Sequence, residues 1–283
     1  MQTTGRKFFF KIVTIIVLVV VASTIILVSM KSAALSPLFF TTTTTTTTTP
    51  SSSVQNFYVI YYGHLVNRDG EIADQTYQII AAKPKLVIIP YSFPDGQPNL
   101  TQKVLKQFHD GGIKVLTYTW TKYGSRNIDE VKADIARQLS AGADGILVDE
   151  VTNIETDSEY SYYSAIYNYI KSFDSDKVVV MNPGHYKVTE RIMEISDIVS
   201  LEEEWTYHDQ IPWKDKYAST RFMGVSSNEY CNQCITATNA INKTLDAWSS
   251  GIGYHFSTDK YIDLPSWFNS YALQVKEKET TRP

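Results

Sequence analysis

From Phe57 onward the chain alternates eight times between a short apolar run and a longer amphipathic or loop-forming stretch. The runs are Phe57–Tyr62, Leu86–Tyr91, Lys114–Trp120, Gly145–Glu150, Val178–Asn182, Ile198–Trp205, Arg221–Ser226 and Gly251–Ser257. Each has the length and the β-branched or aromatic content of a strand. Between them, Leu100–His109, Val131–Leu139, Tyr160–Phe173 and Ile235–Trp248 space apolar residues by three and four, as a helix with one buried face does. Ile128-Asp129-Glu130 and Pro265 stand where helix starts are expected. Strands alternating with helices form parallel βαβ units. Near-continuous apolar runs belong to strands covered on both faces. Eight units over about 220 residues predict an α/β fold, a (β/α)8 barrel of the TIM type. No Gly-x-Gly-x-x-Gly follows the first run, which disfavours an open dinucleotide-binding sheet. The sixth unit is the weakest, because Pro212 interrupts the stretch His208–Ser219 where its helix belongs.

The first fifty residues follow a different pattern. Ile12 to Val28 is uncharged and almost wholly Ile, Val, Leu and small residues, close to the ~20 residues that span a bilayer core. Arg6, Lys7 and Lys11 precede it and only Lys31 follows closely, so the N-terminus is expected in the cytoplasm and the rest outside. Residues 1–31 read either as a transmembrane signal anchor or as a signal peptide with Ser32-Ala33-Ala34 near its cut. Residues 32–53 hold the unbroken run Thr41–Thr49, Pro50 and Ser51 to Ser53, a spacer with no core-forming face. Residues 54–283 hold the barrel. The expected location is the cell surface, with the barrel outside the cytoplasm, or secretion if the segment is cleaved.

Of 26 basic and 30 acidic residues, the first fifty positions hold four and none, which leaves 22 against 30 and a net charge of about −8 in the remainder. An acidic domain with no basic run is a poor nucleic-acid binder and suits a neutral or cationic ligand. Cys231 and Cys234 form a lone C-x-x-C, which fits a disulfide, a redox pair or half a zinc site. With no second cysteine pair and scattered histidines, no metal or cofactor is expected, and outside the cell a structural disulfide is favoured. Asn99-Leu100-Thr101 and Asn242-Lys243-Thr244 match N-glycosylation acceptors.

In a barrel of this type the active site lies at the C-terminal ends of the strands. The last residues of the runs are polar and aromatic: Tyr62, Tyr91, Tyr118, Trp120, Asn182, Trp205 and Tyr254, with Tyr123 and Arg126 just beyond the third run. His64, His185 and His255 also stand near run ends, more as hydrogen-bonding groups than as metal ligands. Carboxylates finish two runs, Asp149-Glu150 the fourth and Glu202-Glu203-Glu204 the sixth. Because a strand alternates faces, these three glutamates cannot all point into one cleft. Carboxylates from two strands, ringed by Tyr and Trp, suit glycoside hydrolysis: one protonates the leaving oxygen, the other attacks carbon or activates water. A solvated acidic rim fits the same spacing.

Several stretches in order resemble the spherulin-4-like family. They are Val115-Leu116-Thr117-Tyr118 with Tyr123-Gly124-Ser125-Arg126, then Val131 to Ile135, Asp144 to Glu150, Val178 to Gly184, and Asp197 to Glu202 with Trp205 in the place of a following aromatic. The resemblance implies a TIM-type barrel related to glycoside hydrolases that cut α-1,4-linked galactosamine polymers. Carried over by motif, it implies Asp149, Glu150 and Glu202 as catalytic residues. The expected function is an extracytoplasmic endo-acting glycoside hydrolase, a monomer whose partner is a polysaccharide. Its substrate would lie against Tyr62, Tyr91, Tyr118, Trp120, Tyr123, Arg126, Asn182, Trp205 and Tyr254. The alternative is a surface carbohydrate-binding or wall-structural barrel without turnover.

Overall fold

The computed structural model describes residues 55–90, 98–184, 187–201, 211–228 and 234–280. Eight parallel strands close into a barrel in chain order: β1 (Asn56–Ile60), β2 (Leu86–Ile89), β3 (Lys114–Trp120), β4 (Gly145–Asp149), β5 (Val178–Met181), β6 (Ile198–Ser200), β7 (Phe222–Ser227) and β8 (Tyr254–Thr258). Closure leaves no sheet edge unpaired, β8 pairing back with β1 through Asn56↔Tyr254 and Phe57↔His255. Helices α1 (Asp74–Ala82), α2 (Pro98–Asp110), α3 (Ile128–Ser140) and α4 (Asp157–Phe173) follow the first four strands. Helices α5 (Ala240–Ser249) and α6 (Phe268–Thr280) follow β7 and β8. Each of the eight expected runs overlaps a strand, and β3 matches its run residue for residue.

Side chains alternate between two environments. Ile146, Val148, Val179, Met181, Val199 and Leu201 share a cluster with Val131 and Ile135 of α3 and Tyr163, Ile166 and Ile170 of α4, and so point outward. Leu147, Val180 and Ile198, on the alternate positions, belong to a separate cluster with Tyr58, Ile60, Leu116, Met223 and Val225 and fill the barrel. The Tyr58 hydroxyl crosses from β1 to donate to the Gly224 carbonyl of β7 at 3.0 Å. At Gly145 a Cβ would overlap the Val178 carbonyl, so only glycine lets β4 and β5 approach here.

The helix starts follow from local chemistry. Asn127 caps α3, its side chain accepting from Asp129 N, and Thr156 with Glu159 forms a capping box on α4. Pro265 accepts from Phe268 N at the head of α6. After β6 the described residues hold two 3-10 turns, Lys214–Lys216 and Ser219–Arg221, as the helix-breaking Pro212 leads one to expect. The unit after β5 is likewise a 3-10 turn, Glu190–Glu194. The eighth run begins later than the sequence indicates. Residues 250–252 donate back to carbonyls of α5, and Gly251 takes φ 82°, so this segment caps the helix and the strand starts at Tyr254.

Among the described residues no helix is long and apolar enough to cross a membrane. The apolar segment from Ile12 to Val28 and the threonine spacer lie outside the described residues.

Candidate active site

The end of β4 is held by several hydrogen bonds at the barrel mouth. Alternation with outward Val148 turns Asp149 inward. Asp149 Oδ1 accepts from Asn182 Nδ2 at the end of β5 and from the backbone N–H of Glu150, both at 2.9 Å. Asn182 is itself fixed: its Oδ1 accepts from Gly184 N at 3.1 Å, its backbone N–H donates to Val148 O, and its carbonyl accepts from Val151 N. The carboxylate orientation is therefore set by two neighbouring strand ends.

Glu150 has φ 54°, the left-handed region that non-glycine residues avoid at a cost of roughly 1–2 kcal/mol. Lys122, Tyr123 and Ile154 share this conformation at φ 53°, 50° and 58°. Four of the five such residues described thus fall in the loops after β3 and β4. Cross-loop bonds hold them there. Thr121 Oγ1 bonds the carbonyls of Asp149 and Glu150 at 3.0 and 2.8 Å, and Tyr123 N donates to Glu150 O at 2.9 Å. The buried Tyr163 hydroxyl lies 3.3 Å from Thr121 Oγ1 and accepts from Thr152 N at 3.1 Å. Strain that is held in place by surrounding bonds concentrates at functional sites. The sequence marks neither Thr121 nor the Tyr163 hydroxyl as part of the mouth, because neither partnership is local in sequence.

Tyr118 joins the carboxylates to an aromatic wall. Its phenol pKa is raised, first by burial, then by the charges of Asp149 and Glu150, against an opposing pull from Arg126. Its ring lies 5.8 Å from that of Tyr62, which lies 5.9 Å from that of Tyr261. Trp120 pairs in register with Asp149 and remains 40% exposed; Tyr123, on the strained turn, is 58% exposed. Arg126 is used internally. It pairs with Asp134 of α3, donates to Trp120 O at 3.2 Å and lies 5.0 Å over the Trp120 ring.

Of the expected site residues, Asp149, Glu150, Tyr62, Tyr118, Trp120, Tyr123, Arg126 and Asn182 gather at the ends of β1, β3, β4 and β5. Tyr254 does not. It opens β8, opposite Asn56 at the start of β1, and so lies at the other mouth of the barrel. The cause is the late start of β8 described above. His255, its neighbour, is fully buried between Ser226 and Thr244 of α5, at 3.2 and 3.0 Å, with its pKa pushed down to about 3 by burial and then by Lys243. Tyr91, His185, Glu202, Trp205 and Cys231 lie outside the described residues. Cys234 is disulfide-bonded. Among the described residues no group of three or more His, Cys, Asp or Glu side chains is placed to hold a metal ion.

Three relationships to known proteins bear on this geometry. Spherulin-4 of Physarum polycephalum is 33% identical over 102 residues, 35% of this chain and 30% of that protein. The match therefore spans less than a third of that relative's length. The spore cortex-lytic enzyme SleL of Bacillus megaterium superposes with a TM-score of 0.52 at 10% identity, covering 81% of this chain and 75% of that one, a likeness of fold. Residues 72–277 match the spherulation-specific family 4, a span that contains β2 to β8 and both strained loops. The chain belongs to spherulation-specific family 4.

Proposed function

We propose that the barrel is a glycoside hydrolase that cuts a galactosamine-containing polysaccharide outside the cytoplasm. The observation that carries this reading is the inward Asp149 carboxylate, oriented by Asn182 and Glu150 N and close enough to the Tyr118 phenol for its charge to raise that pKa. Glycosidic cleavage needs one carboxyl group to protonate the leaving oxygen and a second to attack carbon or activate water. In this reading the Asp149-Glu150 pair supplies one role and Glu202 the other. Tyr62, Tyr118 and Trp120 offer ring faces for the apolar C–H surfaces of sugars, and the acidic domain attracts a cationic aminosugar polymer. SleL, which shares the fold, is named for lytic activity on spore cortex. The N-terminal apolar segment would anchor or export a monomeric barrel, and the threonine spacer would hold it away from the membrane.

Purified full-length protein incubated with a partly N-acetylated α-1,4-galactosamine polysaccharide should release new reducing ends. Glu150→Gln and Glu202→Gln should each abolish that release while keeping the fold. Near-normal turnover in both variants would remove the assignment.

A further inference from the structure

The loop after β3 combines exposure with rigidity in an unusual way. Trp120 is the last residue of β3, in register with Asp149, and 40% of it is open to solvent. An exposed indole normally retains rotamer freedom, and holding a ligand against it would cost that entropy. Here a neighbouring cation restrains the ring. The Arg126 guanidinium lies 5.0 Å over the ring and donates to the Trp120 carbonyl at 3.2 Å. Arg126 is in turn clamped: its side chain is 15% exposed, pairs with Asp134, and its carbonyl accepts from Tyr162 Oη at 2.8 Å. Glu130 Oε2 lies 3.9 Å from Arg126 Nε, so two carboxylates of α3 face the guanidinium.

We infer that Trp120 is a preformed stacking shelf for the apolar face of a pyranose ring, one subsite away from the carboxylates. Arg126 is the positioning residue that holds the shelf and makes no ligand contact. This rests on the carbohydrate reading above and extends it to a polymer bound across the mouth. The chemistry is that of a flat aromatic face meeting axial C–H groups, with a cation 5.0 Å from the ring centroid to orient the ring. A shelf lateral to the cleavage point is filled only by chains long enough to reach it.

The test uses the full chain with Asp149→Asn as background, so that ligand persists. The probes are short and long oligosaccharides prepared from partly N-acetylated α-1,4-galactosamine polymer. Trp120→Ala and Trp120→Leu should each weaken binding of the long oligosaccharide about tenfold, as loss of an aromatic anchor does, and leave the shortest within about twofold. Arg126→Ala should weaken the long oligosaccharide in the same way, Arg126→Lys should restore part of the affinity, and the Trp120→Ala/Arg126→Ala pair should bind no worse than Trp120→Ala alone. Long-oligosaccharide binding equal to the background in both Trp120 variants would overturn the shelf while leaving the carbohydrate reading intact. A double variant weaker than either single would overturn the positioning role of Arg126. No binding of any probe by the background protein or by the wild type would overturn the carbohydrate reading itself.

Discussion

The side-chain amide of Asn182 donates to Asp149 Oδ1 at 2.9 Å, tying the end of β5 to the end of β4. Asn182 is 8% exposed, so the bond is shielded from water and its loss leaves polar groups short of partners. Asn182→Ala should destabilise the barrel by about 1–3 kcal/mol in denaturant titration and reduce turnover far more than it changes substrate affinity. An unchanged kcat would show that the orientation of Asp149 does not matter to the reaction.

Glu150 sits at φ 54°, where glycine is at ease and glutamate is not. Glu150→Gly should therefore stabilise the protein by about 1 kcal/mol, visible as a rise of roughly 2–4 °C in Tm, while removing activity. A fall in Tm would mean that side-chain contacts of Glu150 outweigh its backbone strain.

At Gly145 the constraint is steric. A methyl group there overlaps the Val178 backbone, so Gly145→Ala must part β4 from β5. We expect a loss of about 1–3 kcal/mol of stability together with loss of activity, since the same two strands carry Asp149 and Asn182. Wild-type stability in this variant would contradict the close approach of the strands.

His255 gives a pH signature. Its folded pKa lies near 3, below the ordinary 6.5, because the ring is fully buried. Above pH 6.5 both folded and unfolded states hold it neutral, so it contributes no pH dependence there. As pH falls from about 6.5 towards 3, only the unfolded chain takes up the proton, and stability declines by roughly 1.4 kcal/mol per pH unit. Replacing His255 with Gln should flatten the stability profile over this window. A slope unchanged by the substitution would show that other groups produce the acid limb.

The barrel was legible because strands buried on both faces are apolar at nearly every position, as in Leu86–Ile89 and Val178–Met181. Asp149 was legible because chain order alone puts a strand's last residue at the mouth. The start of β8 was not, since Gly251-Ile252-Gly253 reads as strand while its amides complete the hydrogen bonding of α5 and of the preceding 3-10 turn. That misplaced Tyr254 by the full depth of the barrel. The pairing of Arg126 with Asp134 was not legible, because the partner is eight residues on and offers no local signal. Thr121 and Tyr163 were hidden for the same reason: their bond joins the loop after β3 to α4, 42 residues on.

In the proposed function Asp149, as Asn182 and Glu150 N orient it, takes part in cleaving a polysaccharide. The most direct measurement is reducing-end release from partly N-acetylated α-1,4-galactosamine polysaccharide by wild-type protein and by Asp149→Asn, matched for fold by circular dichroism. The wild type should release reducing ends and the variant at least about 1000-fold fewer, the scale expected when an acid–base or nucleophilic group is removed. Equal rates from the two proteins, or no release by the wild type, would contradict it.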